Sequence, residues 1–360
     1  MDAAGFQSRR DSVARRLLQE RLDALIVTAL PNIRYLTGFT GSNAVLLISP
    51  SVALLFTDPR YGGQAAQETG CPVRVVRGPL ARGVASRVNR KRWSKVGFEA
   101  SRIAYSSYET LRNLVAGGVE LRGLSNWIED LRAVKSEAEI ALIRQSVETC
   151  ENAFARVVGH IRPGMRETEL AAEIDYWMRK LGAERPAFET IVASGARSAL
   201  PHASATSKPL TNGELLLIDM GAQRNGYASD MTRMLHLGRP SQWVSQVHRA
   251  VLEAQLTALD AVRAGRSVSF IDRQARKTLF QHGMSGLFLH STGHGLGLEI
   301  HEFPRLAAGE KTRLQAGMVI TIEPGVYQAD FGGIRIEDTV VVTPAGCEIL
   351  TTTPKELLVI

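Results

Sequence analysis

The 360-residue sequence predicts an α+β protein of two domains, a smaller α/β domain over residues 1–130 and a larger α+β domain over residues 131–360. Three observations carry this. The chain exceeds the roughly 250 to 300 residues at which a single hydrophobic core stops growing. Residues 12–130 alternate short helix-like and strand-like pieces, the pattern of a small α/β unit. Residues 131–360 run twice through the same order, two helices followed by antiparallel strands. The larger domain therefore reads as a duplicated half with pseudo-twofold symmetry, although no direct sequence repeat is visible, and a site shared between the halves would be natural.

In chain order, Ser12 to Leu22 has the spacing of an amphipathic helix, Ala24 to Thr28 and Ala44 to Ser49 read as buried strands, and Val52 to Thr57 reads as the return of a hairpin. No catalytic constellation falls in this domain, since the first histidine of the chain is His160. The character changes near Leu131 to Glu139, where Ser136 followed by Glu139 forms a capping box that opens a helix. Ile140, Ile143, Val147, Cys150, Phe154 and Val157 then recur at steps of three and four, which makes a long one-faced helix. A second helix over Thr168 to Leu181 carries Leu170, Ile174, Trp177 and Leu181, and strand material follows at Thr190 to Ala193 and Leu215 to Leu237. The second half offers helices over Val244 to Val262 and Ile271 to Phe280, then strands at Leu287 to His290, Met318 to Glu323 and Ile334 to Val342.

A hydrophobic share of 44% with 22% charged residues is that of an ordinary globular chain. The beginning of the sequence has no apolar stretch after its basic residues, and the run Asn43 to Phe56 is too short to span a bilayer and is broken by Pro50. Neither an export signal nor a membrane span is expected. Cys71, Cys150 and Cys347 are odd in number and follow no CxxC pattern, so a reducing cytoplasm is the expected location. The net charge of +7 resides in residues 1–130, which hold 18 Lys and Arg against 11 Asp and Glu. Its densest piece, Arg82 to Lys95, lacks interleaved aromatics and reads as a solvated basic face, so no nucleic-acid partner is expected.

The chemistry lies in four pieces of the larger domain. In LLLIDMGAQRNGYASDMTRMLHL, Asn225 and Gly226 suit the two central positions of a type I′ turn, both of which need positive φ. With those as the turn, Arg224 opposes Tyr227 and Asp219 opposes Thr232, so the period of two puts Asp230 on the same face as Asp219 and diagonal to it, roughly 7 Å away. Two acids on one face of an apolar ribbon repel and are costly to bury unless cations neutralise them; the plainer alternative is an exposed hairpin with incidental acids. In MVITIEPGVY, Glu323 ends an apolar strand, held extended by Pro324, with Gly325 allowing a sharp turn. In GGIRIEDTVVV, Arg335 and Glu337 share one face and Ile334 and Ile336 the other, which places Arg335 to pair with a carboxylate. FLHSTGHGLGLEIHE holds His290, His294 and His301 within twelve residues, and Gly293, Gly295 and Gly297 allow close backbone approach. Four carboxylates and an imidazole make an oxygen-rich set that favours a hard divalent ion, Mn²⁺ foremost, with Co²⁺ and Zn²⁺ also compatible.

With IDMGA, SDMTR, HSTGHGLGLEIHE, TIEPGVY and GIRIED in that order, the chain resembles the pita-bread metallopeptidases: aminopeptidase P, prolidase and methionine aminopeptidase. YLTGFTGSNAVLLI and TDPRY extend the resemblance to a creatinase-type N-terminal domain. The resemblance implies a pita-bread catalytic domain holding two divalent metal ions. Asp219 would chelate one metal, Asp230 and Glu337 would bridge both, and His294 with Glu323 would complete the second. It further implies that His202, in ALPHAS, stands near the scissile carbonyl, that His301 hydrogen-bonds the substrate, and that Glu323 also shuttles a proton. His290 matches a histidine of the proline-specific branches; Arg305, in HEFPRL, matches an arginine that archaeal-type prolidases place to pair with a free proline carboxylate, and the same HE-x-PR pattern is also similar to chains described as aminopeptidases. The expected substrates are Xaa-Pro peptides, cleaved as an Xaa-Pro aminopeptidase, with Xaa-Pro dipeptides as the alternative, and the expected assembly is a homodimer. A non-catalytic or creatinase-like member of the fold would be expected to lose metal ligands, and none is lost here.

Overall fold

The computed structural model describes residues 3–360. It divides into two compact units, Met1–Arg132 and Ala133–Ile360. The first is an α/β unit whose six-stranded sheet runs, edge to edge, Val73–Val75, Val52–Thr57, Ala44–Ser49, Ala24–Val27, Lys95–Glu99 and Glu120–Leu124. Ala44–Ser49 and Val52–Thr57 form the expected hairpin, closing at Ser49↔Val52, while Ala24–Val27, Lys95–Glu99 and Glu120–Leu124 are parallel neighbours. The first helix, Ala3–Gln19, extends beyond the expected start at Ser12 and stops short of Leu22. Arg21 there takes a positive φ of 55°, which ends the helix before the chain enters the sheet.

The second unit opens with Glu137–Val158, and its capping box is complete: the Ser136 hydroxyl accepts from the Glu139 amide while the Glu139 carboxylate accepts from the Ser136 amide at 2.9 Å. Such a cap stabilises a helix by about 1 kcal/mol. Ile140, Ile143, Val147, Cys150 and Val157 are all buried, as the spacing requires. Glu167–Lys180 follows, and Gln242–Ala261 with Val268–Gln281 forms the second helix pair.

Between the pairs lie a four-stranded sheet ordered Leu358–Val359, Met231–His236, Leu215–Met220, Ile191–Ser194 and a five-stranded sheet ordered Glu302–Leu306, Gly293–Gly295, Val319–Ile322, Asp338–Val342, Cys347–Ile349. A two-stranded ribbon, Gly325–Gln328 with Gly332–Arg335, and a small three-stranded sheet ordered Tyr227–Ala228, Ala222–Arg224, Arg185–Pro186 complete the set. Leu216, Ile218 and Met220 pack in one core with the first helix pair, whereas Leu215 and Leu217 join the core containing the second pair and the five-stranded sheet. Period two then sends Asp219 to the face of Leu215 and Leu217, towards the middle of the unit.

Two expected strands differ. Leu287 to His290 has no strand structure; its carbonyls at Phe288 and His290 accept instead from the Arg276 guanidinium, at 3.0 and 2.6 Å. Ile334 to Val342 is interrupted at Ile336 and Glu337 because the chain leaves the two-stranded ribbon for the five-stranded sheet there. Among the described residues, no helix is long and apolar enough to cross a membrane.

Candidate metal centre

Asn225 and Gly226 have φ of 52° and 81°, as a type I′ turn demands, and the register is the one the turn fixes, with Arg224 opposite Tyr227 and Asp219 opposite Thr232. The ladder is disturbed once. At Gly221 an added Cβ would lie 2.1 Å from the Ser229 carbonyl oxygen, so only glycine fits, and the Ser229 hydroxyl accepts from the Ala222 amide at 2.9 Å. Asp230 is the next residue after this irregularity and projects on the side of Asp219.

The second half supplies the facing acids. Glu323 leaves its strand at Pro324, with its amide donating to the Thr292 carbonyl at 2.8 Å. Thr321 accepts from the His294 amide at 3.1 Å and donates to the Glu323 carboxylate at 3.1 Å, so one hydroxyl orients both groups. Gly293 makes that approach feasible, because a Cβ there would sit 1.9 Å from the Thr321 carbonyl oxygen. Glu337 accepts from the Thr232 hydroxyl at 2.7 Å, and Thr232 in turn accepts from Arg335 Nε at 3.1 Å.

One ligand atom each from Asp230, His294 and Glu337 lie within 4.8 Å of one another. His294 Nε2 is 3.5 Å from Asp230 Oδ2 and 3.4 Å from Glu323 Oε1. Its Nδ1 faces the Gly295 carbonyl at 3.0 Å, which assigns the proton to Nδ1 and leaves the Nε2 lone pair aimed at those two carboxylates. Burial lowers the pKa of His294, so the ring is neutral near pH 7. A lone pair facing carboxylate oxygens is repulsive unless a cation lies between them, which is the tautomer a metal-bound histidine needs.

The acids give the same indication. Burial, with the negative fields of Glu337 and Asp219 added, raises Asp230 well above its ordinary pKa; burial and the Glu323 field do the same to Glu337. Burial pushes Glu323 up to about 7. Asp219 Oδ1 and Glu337 Oε1 are buried without a hydrogen-bond partner among the described residues, and a buried unpaired carboxylate oxygen costs about 1–3 kcal/mol or more. Divalent cations would satisfy these oxygens and relieve the repulsion, so the residues fit the implied metal pair.

Every sequence-designated residue lines one cavity of about 620 Å³: the four acids and His294, together with His202, His290, His301, Arg305 and Arg335. His202, His301 and Arg305 are exposed on its wall, and the Arg305 side chain has no hydrogen bond or ion pair among the described residues. Arg335 is occupied by the protein: Nη2 donates to Asp219 Oδ2 at 2.5 Å and Nη1 to the Tyr327 hydroxyl at 2.7 Å and the Pro201 carbonyl at 3.2 Å. Tyr327 was not singled out by sequence reasoning, although it closes the TIEPGVY motif. Its hydroxyl lies 2.8 Å from His290 Nε2, while His290 Nδ1 faces the Ser291 carbonyl at 2.8 Å. Burial and then the Arg335 charge push His290 down to about 4, so the relay runs from Arg335 to the Tyr327 oxygen and from the Tyr327 O–H to a neutral His290. Phe188 and Glu189 also line the cavity and carried no signal in the sequence beyond lying next to a strand.

The family model "Metallopeptidase family M24" matches residues 141–344, and "Creatinase/Prolidase N-terminal domain" matches residues 9–134. An Xaa-Pro dipeptidase of Pyrococcus horikoshii is 36% identical over 343 residues, covering 94% of this chain and 95% of that protein. Among solved structures, an Xaa-Pro dipeptidase from Bacillus anthracis superposes with a TM-score of 0.96 at 37% identity, covering 99% of this chain and 100% of the other. An X-Pro aminopeptidase from Thermotoga maritima gives 0.90 at 40% identity, covering 97% and 100%. The architecture is therefore an N-terminal creatinase-type domain followed by a pita-bread domain of two helix pairs around mixed sheets.

Proposed function

The chain belongs to metallopeptidase family M24, and from that premise we propose that this peptide hydrolase cleaves the Xaa-Pro bond of dipeptides. The sequence alone inclined towards an Xaa-Pro aminopeptidase acting on longer peptides; the relatives favour the dipeptidase alternative, since the Pyrococcus and Bacillus proteins carry that name. The observation that carries the reading is Arg305. It is a cation on the wall of the cavity, without a protein partner among the described residues, and a dipeptide, unlike a longer substrate, presents a free proline carboxylate beside the scissile bond for it to pair with.

Asp219, Asp230, His294, Glu323 and Glu337 are the ligands we assign to two divalent ions, Mn²⁺ foremost and Co²⁺ or Zn²⁺ also compatible. When bound, such ions lower the pKa of a water molecule and polarise the substrate carbonyl. Glu323 takes the proton of the attacking water on its carboxylate and delivers it to the proline nitrogen as the C–N bond breaks. His202 and His301 donate hydrogen bonds to the carbonyl oxygen as it gains charge. Arg335, held by Asp219, Tyr327 and Pro201, fixes the wall that carries His290, which packs against the proline side of the substrate. We further propose a homodimer located in the cytoplasm; light scattering that returns the mass of a monomer would remove the dimer.

The test is Mn²⁺-loaded enzyme given Ala-Pro beside Ala-Pro-Ala-Ala. Ala-Pro is expected to be cleaved and the tetrapeptide to be nearly inert, with Arg305→Ala raising KM for Ala-Pro about 10-fold or more. Equal or better hydrolysis of the tetrapeptide overturns the dipeptidase in favour of the aminopeptidase, and hydrolysis of neither removes proline specificity.

A further inference from the structure

His202 has no hydrogen bond of its own side chain among the described residues. Its orientation must come from the segment that carries it, and both ends of that segment converge on one buried carboxylate. At the leading end, the Ser194 amide and hydroxyl donate to Glu167 Oε1 at 2.8 and 2.9 Å. At the trailing end, the Thr206 amide and hydroxyl donate to Glu167 Oε2 at 3.1 and 2.8 Å, and Arg197 Nε reaches the same oxygen at 3.0 Å. Arg197 adds a bond to the Ser204 carbonyl at 2.6 Å, so the cation already on Glu167 also secures the stretch just after His202. Immediately before His202, the Pro201 carbonyl accepts from Arg335 at 3.2 Å.

The Glu167 side chain is 0% exposed, and it is the first residue of Glu167–Lys180, where the helix amides favour an anion. Burial alone would raise its pKa, but the bonds from Thr206 and Ser194 outweigh that and hold the carboxyl below its ordinary range, so it is ionised near pH 7. Five donors on two oxygens require a carboxylate. A glutamine in its place offers one acceptor oxygen, and its amide N–H groups would confront the donors at one end of the segment.

We propose that Glu167 is a positioning residue for His202: its carboxylate clasps residues 194 and 206 together, so that the His202 imidazole is already presented to the cavity when substrate arrives. This rests on the reading of His202 as a donor to the scissile carbonyl. Displacing such a donor by an ångström is sufficient to cost on the order of 100-fold in rate. Glu167 touches neither substrate nor the acids of the centre, so its effect must pass through the segment.

The experiment uses the full chain loaded with Mn²⁺ and compares wild type, Glu167→Gln, His202→Ala and the double variant, with metal content and the hydrogen–deuterium exchange of residues 195–206 measured for each. Glu167→Gln is expected to lose about 10- to 100-fold in kcat for Ala-Pro, with KM nearly unchanged, full metal content and faster exchange in 195–206. The double variant is expected to be no slower than His202→Ala alone. Unchanged exchange in 195–206, or losses that multiply in the double variant, overturns the clasp. If His202→Ala is as active as wild type, the assigned role of His202 falls, and the exchange of 195–206 still decides whether Glu167 holds the segment. Should Glu167→Gln fail to fold, Thr206→Val keeps the charge and removes one donor; it must quicken exchange and lower kcat by a factor that disappears in the His202→Ala background, and wild-type behaviour in both overturns the proposal.

Discussion

Burial raises the proton affinity of Asp230, Glu323 and Glu337, the negative field of Asp219 adds to it in all three, and the raised direction fixes a sign. A carboxyl whose folded pKa exceeds its unfolded value, near 4, contributes stability that is fully present below the unfolded value and is lost as pH rises through the folded one. For Glu323 the folded value is about 7, and the other two move the same way. His290 acts in the opposite sense: its folded value of about 4 gives stability that is present above about 6.5 and lost as pH falls through that folded value, so its window lies below the one of interest. Metal-free protein should therefore melt at least about 5 °C lower at pH 8 than at pH 6.5, while the Mn²⁺-loaded form stays level. Differential scanning fluorimetry with and without chelator reads the gap, and a gap that narrows with rising pH would contradict the shared acid site. Asp230→Asn should bind less than the wild-type complement of metal by elemental analysis; unchanged content would remove Asp230 from the ligand set.

At the scale of elements, the site is carried by irregularities that the surrounding strands make permissible. Gly221 admits the Ser229 carbonyl that a Cβ would meet at 2.1 Å, and Asp230 follows directly. Gly221→Ala must push the two strands apart at the centre, so metal affinity by isothermal titration should fall about 10- to 100-fold, as for loss of a ligand's supporting contacts; wild-type affinity would show that the irregularity does not aim Asp230. The second half secures its histidine segment in its own way. Asp272 accepts from Thr292 at 2.8 Å and from Arg276, whose guanidinium holds the carbonyls of Phe288 and His290. A helix-borne carboxylate thus steadies a histidine-bearing stretch in each half, Glu167 in the first and Asp272 in the second. The expected strand at Leu287 to His290 does not form: Arg276 takes the carbonyls of Phe288 and His290 from the side, and the Leu287 carbonyl accepts from the Tyr327 amide at 3.0 Å without a ladder following.

Across the 133–360 unit, the two halves are tied by a buried network that lies outside the cavity. Asp338 accepts from Arg233 and Lys355 at 2.8 Å, from Gln255 at 2.7 Å and from Thr351 at 2.8 Å. Arg233 and Asp338 side chains are 3% and 0% exposed. Removing one member of such a pair strands a buried charge at a cost of about 3–5 kcal/mol, whereas an exposed pair would contribute under about 1. Asp338→Ala should therefore lose several kcal/mol in urea unfolding with its metal ligands intact, and a loss below about 1 kcal/mol would place the halves' cohesion elsewhere.

Features with a short period or a local rule are legible in the amino-acid sequence. The Asn225–Gly226 turn set the register, the register put Asp219 and Asp230 on one face, and alternation put Arg335 with Glu337 and Ile334 with Ile336. Ser136 and Glu139 announced their helix because capping is settled within four residues. Which buried charges pair is set by the folded chain. Arg335 could have met any carboxylate and is held to Asp219, 116 residues away, and Glu167 reaches Thr206 across 39 residues. Asp338, adjacent to a ligand in GIRIED, points the other way and meets Arg233 at a separation of 105. Side-chain direction follows from backbone period, which a sequence contains, whereas pairing of buried charges depends on which distant strands are brought together, and no local pattern encodes that.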